Sequence, residues 1–216
     1  MFEELEQSEL GSQEYWDKLY KKEIENYKNN GDVGEIWFGE DIVDRVLRWI
    51  LKNNIPKSHK IVDVGCGNGM MLIELHNEGF TNLYGVDYSE HAITLAEAVK
   101  EKYECNHIKY SVCDLLGENT NLEEFDVVFD KGTYDAISLS DNAKINRNKY
   151  IKNVAKSLKE NGLLILNSCN WTECEVVEQF KEFFEVFNVI PTPQFKFGGK
   201  VGNVVSSVVF KKIKFD

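Results

Sequence analysis

The sequence predicts an α/β fold: a doubly wound, mostly parallel seven-stranded sheet covered by helices on both faces, with an N-terminal helical extension and a C-terminal antiparallel hairpin. Three observations support this prediction. Short apolar runs alternate with amphipathic segments from residue 60 onward, and a glycine-rich turn at residues 65–69 joins the first run to the segment after it. The last two apolar runs are joined by residues rich in proline and glycine instead of a helix, which indicates antiparallel pairing.

The N-terminal extension is predicted to contain two helices and a loop between them. Apolar residues recur at every third or fourth position over residues 13–29, and Ser12 precedes them as a candidate N-cap. A second apolar stripe covers residues 40–53. The loop carries Trp37 and Phe38 between glycines, so it is either a lid that closes over a ligand or an anchor that holds the extension to the sheet.

From residue 60 the chain alternates strand, turn and helix. The predicted strands are mostly continuous apolar runs, as expected where helices cover both faces of a parallel sheet. They lie at residues 60–64, 83–86, 108–112, 125–130, 162–167, 184–190 and 203–213. The helices between them are predicted at residues 70–78, 90–102, 147–158 and 172–183. We therefore expect one domain over residues 1–216, with residues 1–56 as helical extension and lid and residues 57–216 as the ligand-binding core.

Charge and composition exclude several classes of protein. The 25 Lys and Arg residues against 36 Asp and Glu residues give a formal net charge of −11, which disfavours duplex nucleic acid and anionic lipid as partners. No apolar stretch is long enough for a membrane helix, and the acidic N-terminus is unlike a leader peptide. We expect a cytoplasmic, monomeric protein without a metal site, because the five cysteines and four histidines show neither C-x-x-C nor H-x-x-x-H spacing.

The glycine-rich turn and the acid that follows it predict a nucleoside site. The G-x-G-x-G pattern of residues 65–69 lets the backbone turn tightly beside the free amides of a helix N-terminus. Asp87 ends the next predicted strand, where a carboxylate accepts hydrogen bonds from both ribose hydroxyls of an adenosine cofactor. Cys66, within the turn, is expected on its solvent side.

Three acids at the ends of three successive strands indicate which cofactor is bound. A dinucleotide fingerprint needs Gly or Ala where this chain has the bulky Met70, which disfavours a nicotinamide cofactor. Asp63 precedes the glycine turn and suits a cationic amino-acid group, Asp87 suits the ribose, and Asp114 could meet an adenine amine or cap a helix. This set fits S-adenosylmethionine, which carries a sulfonium, an ammonium, a ribose and an adenine but no phosphate.

Residues 60–213 resemble the class I, seven-stranded, Rossmann-like methyltransferases that depend on S-adenosylmethionine. Within that class, four motifs at residues 34–39, 130–137, 168–171 and 195–199 are similar to the lysine methyltransferases that modify translation elongation factor 1-alpha. The resemblance extends back to residue 8. It implies a protein-lysine N-methyltransferase whose protein substrate is elongation factor 1-alpha.

The resemblance places the transferable methyl group at the ends of the fourth and fifth strands. The chain has Lys131-Gly132 where methyltransferases of flat amines carry Asn/Asp-Pro-Pro-aromatic, so a flexible lysine fits better than a base. The expected catalytic residues are Asp130, Tyr134, Asp135, Asn170 and Trp171. The expected cofactor-binding residues are Trp37, Asp63, Gly65, Gly67, Asn68, Gly69, Asp87, Tyr88, Asp114, Leu115 and Asp130.

Other interpretations stay open from the sequence alone. A small-molecule methyltransferase would need similar acids, and a module that binds the cofactor without turnover would share the whole pocket. Trp171 could instead pack at the start of a helix, and Asp135 could be a solvated cap. Phe195 and Phe197 could either pack in a turn or border the substrate.

Overall fold

The computed structural model describes residues 3–197 and 200–213 of the 216-residue chain. A 3₁₀ turn at Glu9–Gly11 precedes the first helix. The helices are α1 (Gln13–Asn30), α2 (Glu40–Lys52), α3 (Met70–Asn77), α4 (Glu90–Lys102), α5 (Thr133–Ser138), α6 (Ala143–Ser157) and α7 (Glu173–Phe180). The strands are β1 (Ile61–Val64), β2 (Leu83–Asp87), β3 (Lys109–Val112), β4 (Phe125–Lys131), β5 (Leu158–Ser168), β6 (Phe184–Val189), β7 (Gln194–Phe197), β8 (Lys200–Asn203) and β9 (Ser206–Lys212).

Seven strands form one sheet in the order β3-β2-β1-β4-β5-β9-β6. The pairs from β3 through β5 are parallel, whereas β9 runs antiparallel to both β5 and β6. The order reverses at β1, whose two neighbours are β2 and β4. In open α/β sheets ligands bind at such a reversal, outside the carboxyl ends of the strands. The predicted seven-stranded sheet with its antiparallel C-terminal end is confirmed.

The two faces of the sheet are covered by different helices. In β1, Ile61 points into a core with α1–α4, and Val62 points into a core with α5–α7, as the alternation of side chains along a strand requires. Both residues are almost fully buried. This arrangement explains why the core strands are continuous apolar runs and confirms a doubly wound architecture.

Local capping fixes where the helices begin. The Ser12 side chain accepts a hydrogen bond from the Tyr15 amide, so the predicted N-cap of α1 is confirmed. Ser89 caps α4 in the same way, and Thr172 and Glu175 form a capping box at α7. Within the described ranges, no helix combines the length and the apolar character needed to cross a membrane.

Some elements differ from the sequence prediction. Helix α5 is not among the predicted helices, and a short β7–β8 hairpin occupies part of the predicted turn-rich segment. Helix α6 begins four residues before its predicted start, at Ala143 instead of residue 147, and β5 reaches back to Leu158. Phe195 and Phe197 belong to β7, so their packing or substrate-border role stays a prediction, and residues 198–199 of that motif lie outside the described residues.

Candidate active site

A cavity of about 510 Å³ lies at the carboxyl ends of the central strands. Its floor includes Gly65 after β1, Asp87 at the end of β2, and Lys131 at the end of β4. Its opposite wall is formed by the N-terminal extension, including Trp16 and Trp37. A cavity of this size, at the reversal point of the sheet, can enclose most of a nucleoside-sized ligand.

The glycine turn is shaped so that backbone, not side chain, faces this cavity. Gly65 and Gly67 have φ of 69° and 52°, in the left-handed region that favours glycine. A Cβ on Gly65 would lie 1.8 Å from Thr133 Oγ1, and one on Gly67 would lie 2.6 Å from the Tyr20 hydroxyl. The Thr133 hydroxyl in turn donates a hydrogen bond to the Val64 carbonyl at 2.8 Å. Side chains from α5 and α1 therefore close in on the turn from both sides and leave a narrow cradle.

Asp87 lies beside that cradle and is only 6% exposed. Its carboxylate accepts hydrogen bonds from the Gly67 amide at 3.2 Å and the Ser89 amide at 3.0 Å. Burial raises the pKa of Asp87 to about 6, while these two amide bonds oppose the rise. The group thus lines the cavity as a fixed acceptor, in the position predicted for a ribose ligand.

The loop that carries Trp37 is fastened to the core by hydrogen bonds. Asn68 Nδ2 donates to the carbonyls of Val33 at 3.1 Å and Glu35 at 3.2 Å, and Lys131 Nζ donates to the Trp37 carbonyl at 2.9 Å. The Trp37 ring packs edge-on against Trp16, with centroids 5.0 Å apart. The loop is therefore both an anchor for the extension and a wall of the cavity.

Asp63 opens into a smaller neighbouring cavity of about 20 Å³, which it shares with Lys131 and the glycine turn. Asp63 is 4% exposed, and burial raises the pKa of its carboxyl group to about 7. Lys131 lines both cavities, so it stands at their junction. The nearby carboxyls of Asp63 and Asp130 favour its charged form, although burial lowers the pKa of Lys131.

The other predicted cofactor residues divide into those at the cavity and one behind it. Tyr88, Asp114 and Leu115 line it. Asp114 Oδ1 accepts from the Leu116 amide at 2.8 Å, but no described helix starts there, so the N-cap alternative is wrong. Gly69 does not line the cavity; it precedes α3, and its carbonyl accepts from the Tyr110 hydroxyl at 3.4 Å.

Asp130 is fully buried and does not line the cavity. One oxygen accepts from the Thr133 amide at 2.9 Å, the other accepts from the Tyr134 amide at 3.0 Å, and the Tyr150 hydroxyl also donates to it. Burial raises the pKa of Asp130 to about 8 against these bonds. In this structure the Asp130 carboxyl group holds the first turn of α5, and its contact with the cofactor or the acceptor amine stays a prediction.

Tyr134 and Trp171 also lie beneath the site instead of in it. The Tyr134 hydroxyl donates to Gln179 Oε1 at 2.6 Å, and Trp171 Nε1 donates to the Ser138 hydroxyl at 2.9 Å. Both rings are buried in the core formed with α5–α7. Both polar tips are used in hydrogen bonds within the core, and a place for these rings in the acceptor channel stays a prediction.

Asp135 and Asn170 do line the cavity. The Asp135 carboxylate accepts from the Cys169 amide at 2.7 Å and from the Ser168 hydroxyl. Burial raises the pKa of Asp135, and it is 4% exposed, so it is not a solvated cap. A carboxyl group and an amide from two elements, α5 and the end of β5, thus face the same space as the glycine turn.

Two features of the site were missed from the sequence. Cys66 is 7% exposed and lines both cavities, so its expected solvent-side position is wrong. The N-terminal extension supplies a further wall, made of Leu10, Gly11, Gln13, Trp16 and Tyr20. The signal was available in the spacing of Trp16 and Tyr20, which places both on one face of α1.

Comparison with known proteins adds to this geometry. Residues 55–206 match a family model described as a methyltransferase domain. The mouse protein named EEF1A lysine methyltransferase 2 is 45% identical over 206 residues, which cover 95% of this chain and 84% of the mouse protein. A yeast (Saccharomyces cerevisiae) protein named protein-lysine N-methyltransferase EFM4 is 36% identical, with 97% of each chain covered.

The chain belongs to the EEF1A lysine methyltransferase family. Solved structures with the same fold include the N-methyltransferase NodS from Bradyrhizobium japonicum in complex with S-adenosyl-L-homocysteine, with a TM-score of 0.65, 17% identity, and 92% of this chain and 99% of NodS covered. A TehB-like methyltransferase from Corynebacterium glutamicum superposes with a TM-score of 0.63 at 20% identity, covering 91% of this chain and 98% of that chain. The family uses S-adenosylmethionine.

The cavity fits this cofactor in shape and in charge. Glycines let the turn pass close beside Thr133 and Tyr20 at the cavity wall, and Asp87 offers the acceptor that a ribose needs. Four acids line the cavity, at Glu35, Asp87, Asp114 and Asp135. Such an acidic lining suits a ligand with a net positive charge. When bound, S-adenosylmethionine supplies an electrophilic methyl group.

Proposed function

We propose that this chain methylates the side-chain nitrogen of a lysine in translation elongation factor 1-alpha. The observation that carries the proposal is the presence of Asp135 and Asn170 in the same cavity as the glycine cradle and Asp87. Three relatives named EEF1A lysine methyltransferase 2, 44–45% identical over 95–97% of the chain, support the substrate. Two relatives named protein-lysine N-methyltransferase, 35–36% identical over 96–97% of the chain, support lysine methylation. The formal charge of −11 also favours a basic protein partner.

The chain's contribution to the reaction follows from what lines the cavity. A lysine ammonium has to lose a proton before its nitrogen can attack, which at pH 7 costs about 4.6 kcal/mol. Asp135 attracts the ammonium into the cavity, and the apolar walls near Trp37 and Ile137 then disfavour its charged form. Held by Gly65, Gly67 and Asp87, the cofactor would supply a methyl group to the neutral nitrogen and keep the sulfur as a thioether, and water would take the amine proton. Orientation supplies much of the remaining acceleration.

The proposed site residues differ in their distance from the reaction. Asp135 and Asn170 contact the acceptor, while Gly65, Gly67 and Asp87 bind the cofactor together with the residues Trp37, Asp63, Asn68, Tyr88, Asp114 and Leu115. Asp130, Tyr134 and Trp171 act as positioning residues, because they hold α5 and the β5 end beneath Asp135. Action as a monomer in the cytoplasm stays a prediction from the sequence.

The direct test is methyl transfer to purified elongation factor 1-alpha. The chain, the factor and labelled S-adenosylmethionine are incubated together, and the labelled lysine is located by peptide mass spectrometry. We expect label on one lysine of the factor. Label confined to low-molecular-weight products would support the small-molecule alternative, and cofactor binding without any label would support the binding-only alternative.

A matched pair of variants tests the role of Asp135. Asp135→Asn removes the charge that attracts the ammonium, so kcat is expected to fall at least tenfold, about 1.4 kcal/mol in barrier height, while the Kd for S-adenosylhomocysteine stays within about twofold. Asp141→Asn removes the same charge from an exposed position after α5 and is expected to leave both values unchanged. Equal activity in the two variants would remove Asp135 from the acceptor site.

A further inference from the structure

Lys131 is the one basic residue among the described residues that line the two cavities. In the described part of the chain, every other charged residue on their walls is acidic. Lys131 ends β4 and lines both the main cavity and the small one. A single cation in an acidic pocket marks the point where a negatively charged group of a ligand is most strongly favoured.

The Lys131 ammonium has donors to spare. It carries three N–H groups, and the described structure assigns one of them, to the Trp37 carbonyl at 2.9 Å. That bond fixes the direction of the side chain, since it ties the ammonium to the loop that walls the cavity. The remaining donors are available at the junction of the two cavities.

Asp63 provides the opposite charge on the wall of the same small cavity. Among the described residues it forms no direct hydrogen bond and no ion pair. The small cavity, about 20 Å³, has room for one water molecule or one ammonium group, and Lys131 also lines the main cavity beside it. A buried acid and a half-buried base that line one cavity are complementary to the ammonium and the carboxylate of a free amino acid.

We propose that Lys131 recognises the carboxylate of the methionyl end of S-adenosylmethionine and so selects the cofactor against analogues that lack this carboxylate. Asp63, on the wall of the small cavity, then faces the ammonium of the same methionyl group. The inference rests on the cofactor of the family and is independent of which protein or molecule accepts the methyl group. It assigns to Lys131 a role in specificity that a purely structural tie to Trp37 would not have.

The first test needs no variant. The affinities of the wild-type protein for S-adenosylmethionine and for decarboxylated S-adenosylmethionine are measured by isothermal titration calorimetry. The two ligands differ only in the carboxylate, and a hydrogen bond between charged groups corresponds to roughly 10- to 100-fold in affinity. We expect the decarboxylated ligand to bind weaker by about that factor. Equal affinity would overturn the proposal.

The second test assigns the discrimination to Lys131. Lys131→Met is expected to weaken binding of S-adenosylmethionine by roughly 10- to 100-fold while changing the affinity for the decarboxylated ligand by less than about threefold. Lys131→Arg keeps the charge and is expected to retain part of the discrimination. Lys149→Met, at an exposed position on α6, is the matched control and is expected to leave both affinities unchanged.

Comparing the two ligands also distinguishes recognition of the carboxylate by Lys131 from a purely structural role of Lys131 in holding the Trp37 loop. If Lys131 only fastened the Trp37 loop, Lys131→Met would weaken both ligands by the same factor, and that result would overturn the proposal. Should Lys131→Met fail to fold, as judged by its thermal unfolding, the wild-type comparison and Lys131→Arg decide the matter. All of these measurements use binding alone, so a failure to methylate elongation factor 1-alpha would leave them unaffected.

Discussion

In Asp87, burial and hydrogen bonding act in opposite directions on one carboxyl group. Burial raises the pKa of Asp87 to about 6, yet a ribose needs the ionised form, because only that form accepts from both hydroxyls. At pH 5 about one molecule in ten carries ionised Asp87. The affinity for S-adenosylhomocysteine is therefore expected to be roughly tenfold lower at pH 5 than at pH 7.5, as measured by calorimetry.

Asp87→Asn is the control for this pH dependence. The amide cannot ionise, so the variant is expected to bind S-adenosylhomocysteine at least tenfold more weakly at pH 7.5, since a bond to a charged acceptor contributes about 1.5 to 3 kcal/mol. Its affinity is also expected to vary little between pH 5 and 7. If the variant kept the wild-type pH profile, the group responsible for the pH dependence would be another residue, such as Asp63.

Residues whose role follows from the backbone could be predicted from sequence, and residues whose role depends on side-chain direction could not. Gly65 and Asp87 are defined by the strand ends on which they lie, and the structure places both at the cavity. Asp130, Tyr134 and Trp171 occupy equally suggestive motif positions but turn into the core. For Asp130 no periodicity reveals this, because β4 is covered on both faces and buries almost every side chain.

The N-terminal extension closes the site by a backbone contact. The Ser8 amide donates to the Leu139 carbonyl at 3.2 Å, and a Cβ on Gly11 would lie 2.2 Å from the Leu139 carbonyl carbon. Gly11→Ala must therefore push this segment away from α5, at a cost of about 1 to 3 kcal/mol. We expect weaker cofactor binding, by about tenfold, and faster hydrogen exchange over residues 8–16.

The exposed residue Gln7 offers a matched control within the same segment. Gln7→Ala is expected to change neither cofactor affinity nor hydrogen exchange, since it introduces no atom toward α5. If Gly11→Ala bound the cofactor as tightly as Gln7→Ala does, the extension would not be needed to complete the pocket, and its contact with Leu139 would be incidental.

The length of a helix decided whether the sequence could predict it. Helix α4 has the predicted bounds, because thirteen residues carry a clear apolar stripe between Ser89 and the turn that follows. Helix α5 has six residues, fewer than two turns, and shows no readable period. Its first turn depends on the carboxyl group of Asp130, a contact from the end of β4 that no local pattern records.

Across the whole molecule, buried acids set the pH dependence of stability. Burial raises the pKa of Asp63 to about 7, of Asp87 to about 6 and of Asp130 to about 8, against about 3.9 in an unfolded chain. The folded state thus holds more protons than the unfolded state between pH 4 and 8. The stability from these groups is complete below pH 4 and is lost as the pH rises through 6 to 8.

The ligand-free protein is therefore expected to have a higher Tm at pH 6 than at pH 8.5, as measured by scanning calorimetry. The net charge of −11 adds to this trend, because self-repulsion also grows as acids ionise. Asp63→Asn removes one of the titrating groups and is expected to flatten the profile between pH 6 and 8. A Tm that climbs over this range would show that the buried acids are already ionised.

The wall contributed by Leu10, Trp16 and Trp37 lies outside residues 55–206, the part that matches the methyltransferase family model. A fragment limited to residues 55–206 would keep the glycine turn and Asp87. Its cofactor cavity would lack the wall that the N-terminal extension provides, so it would be more open to solvent. Enclosure and fold thus depend on different parts of the chain: residues 55–206 hold the glycine turn and Asp87, and the residues before them close the cavity over the donor.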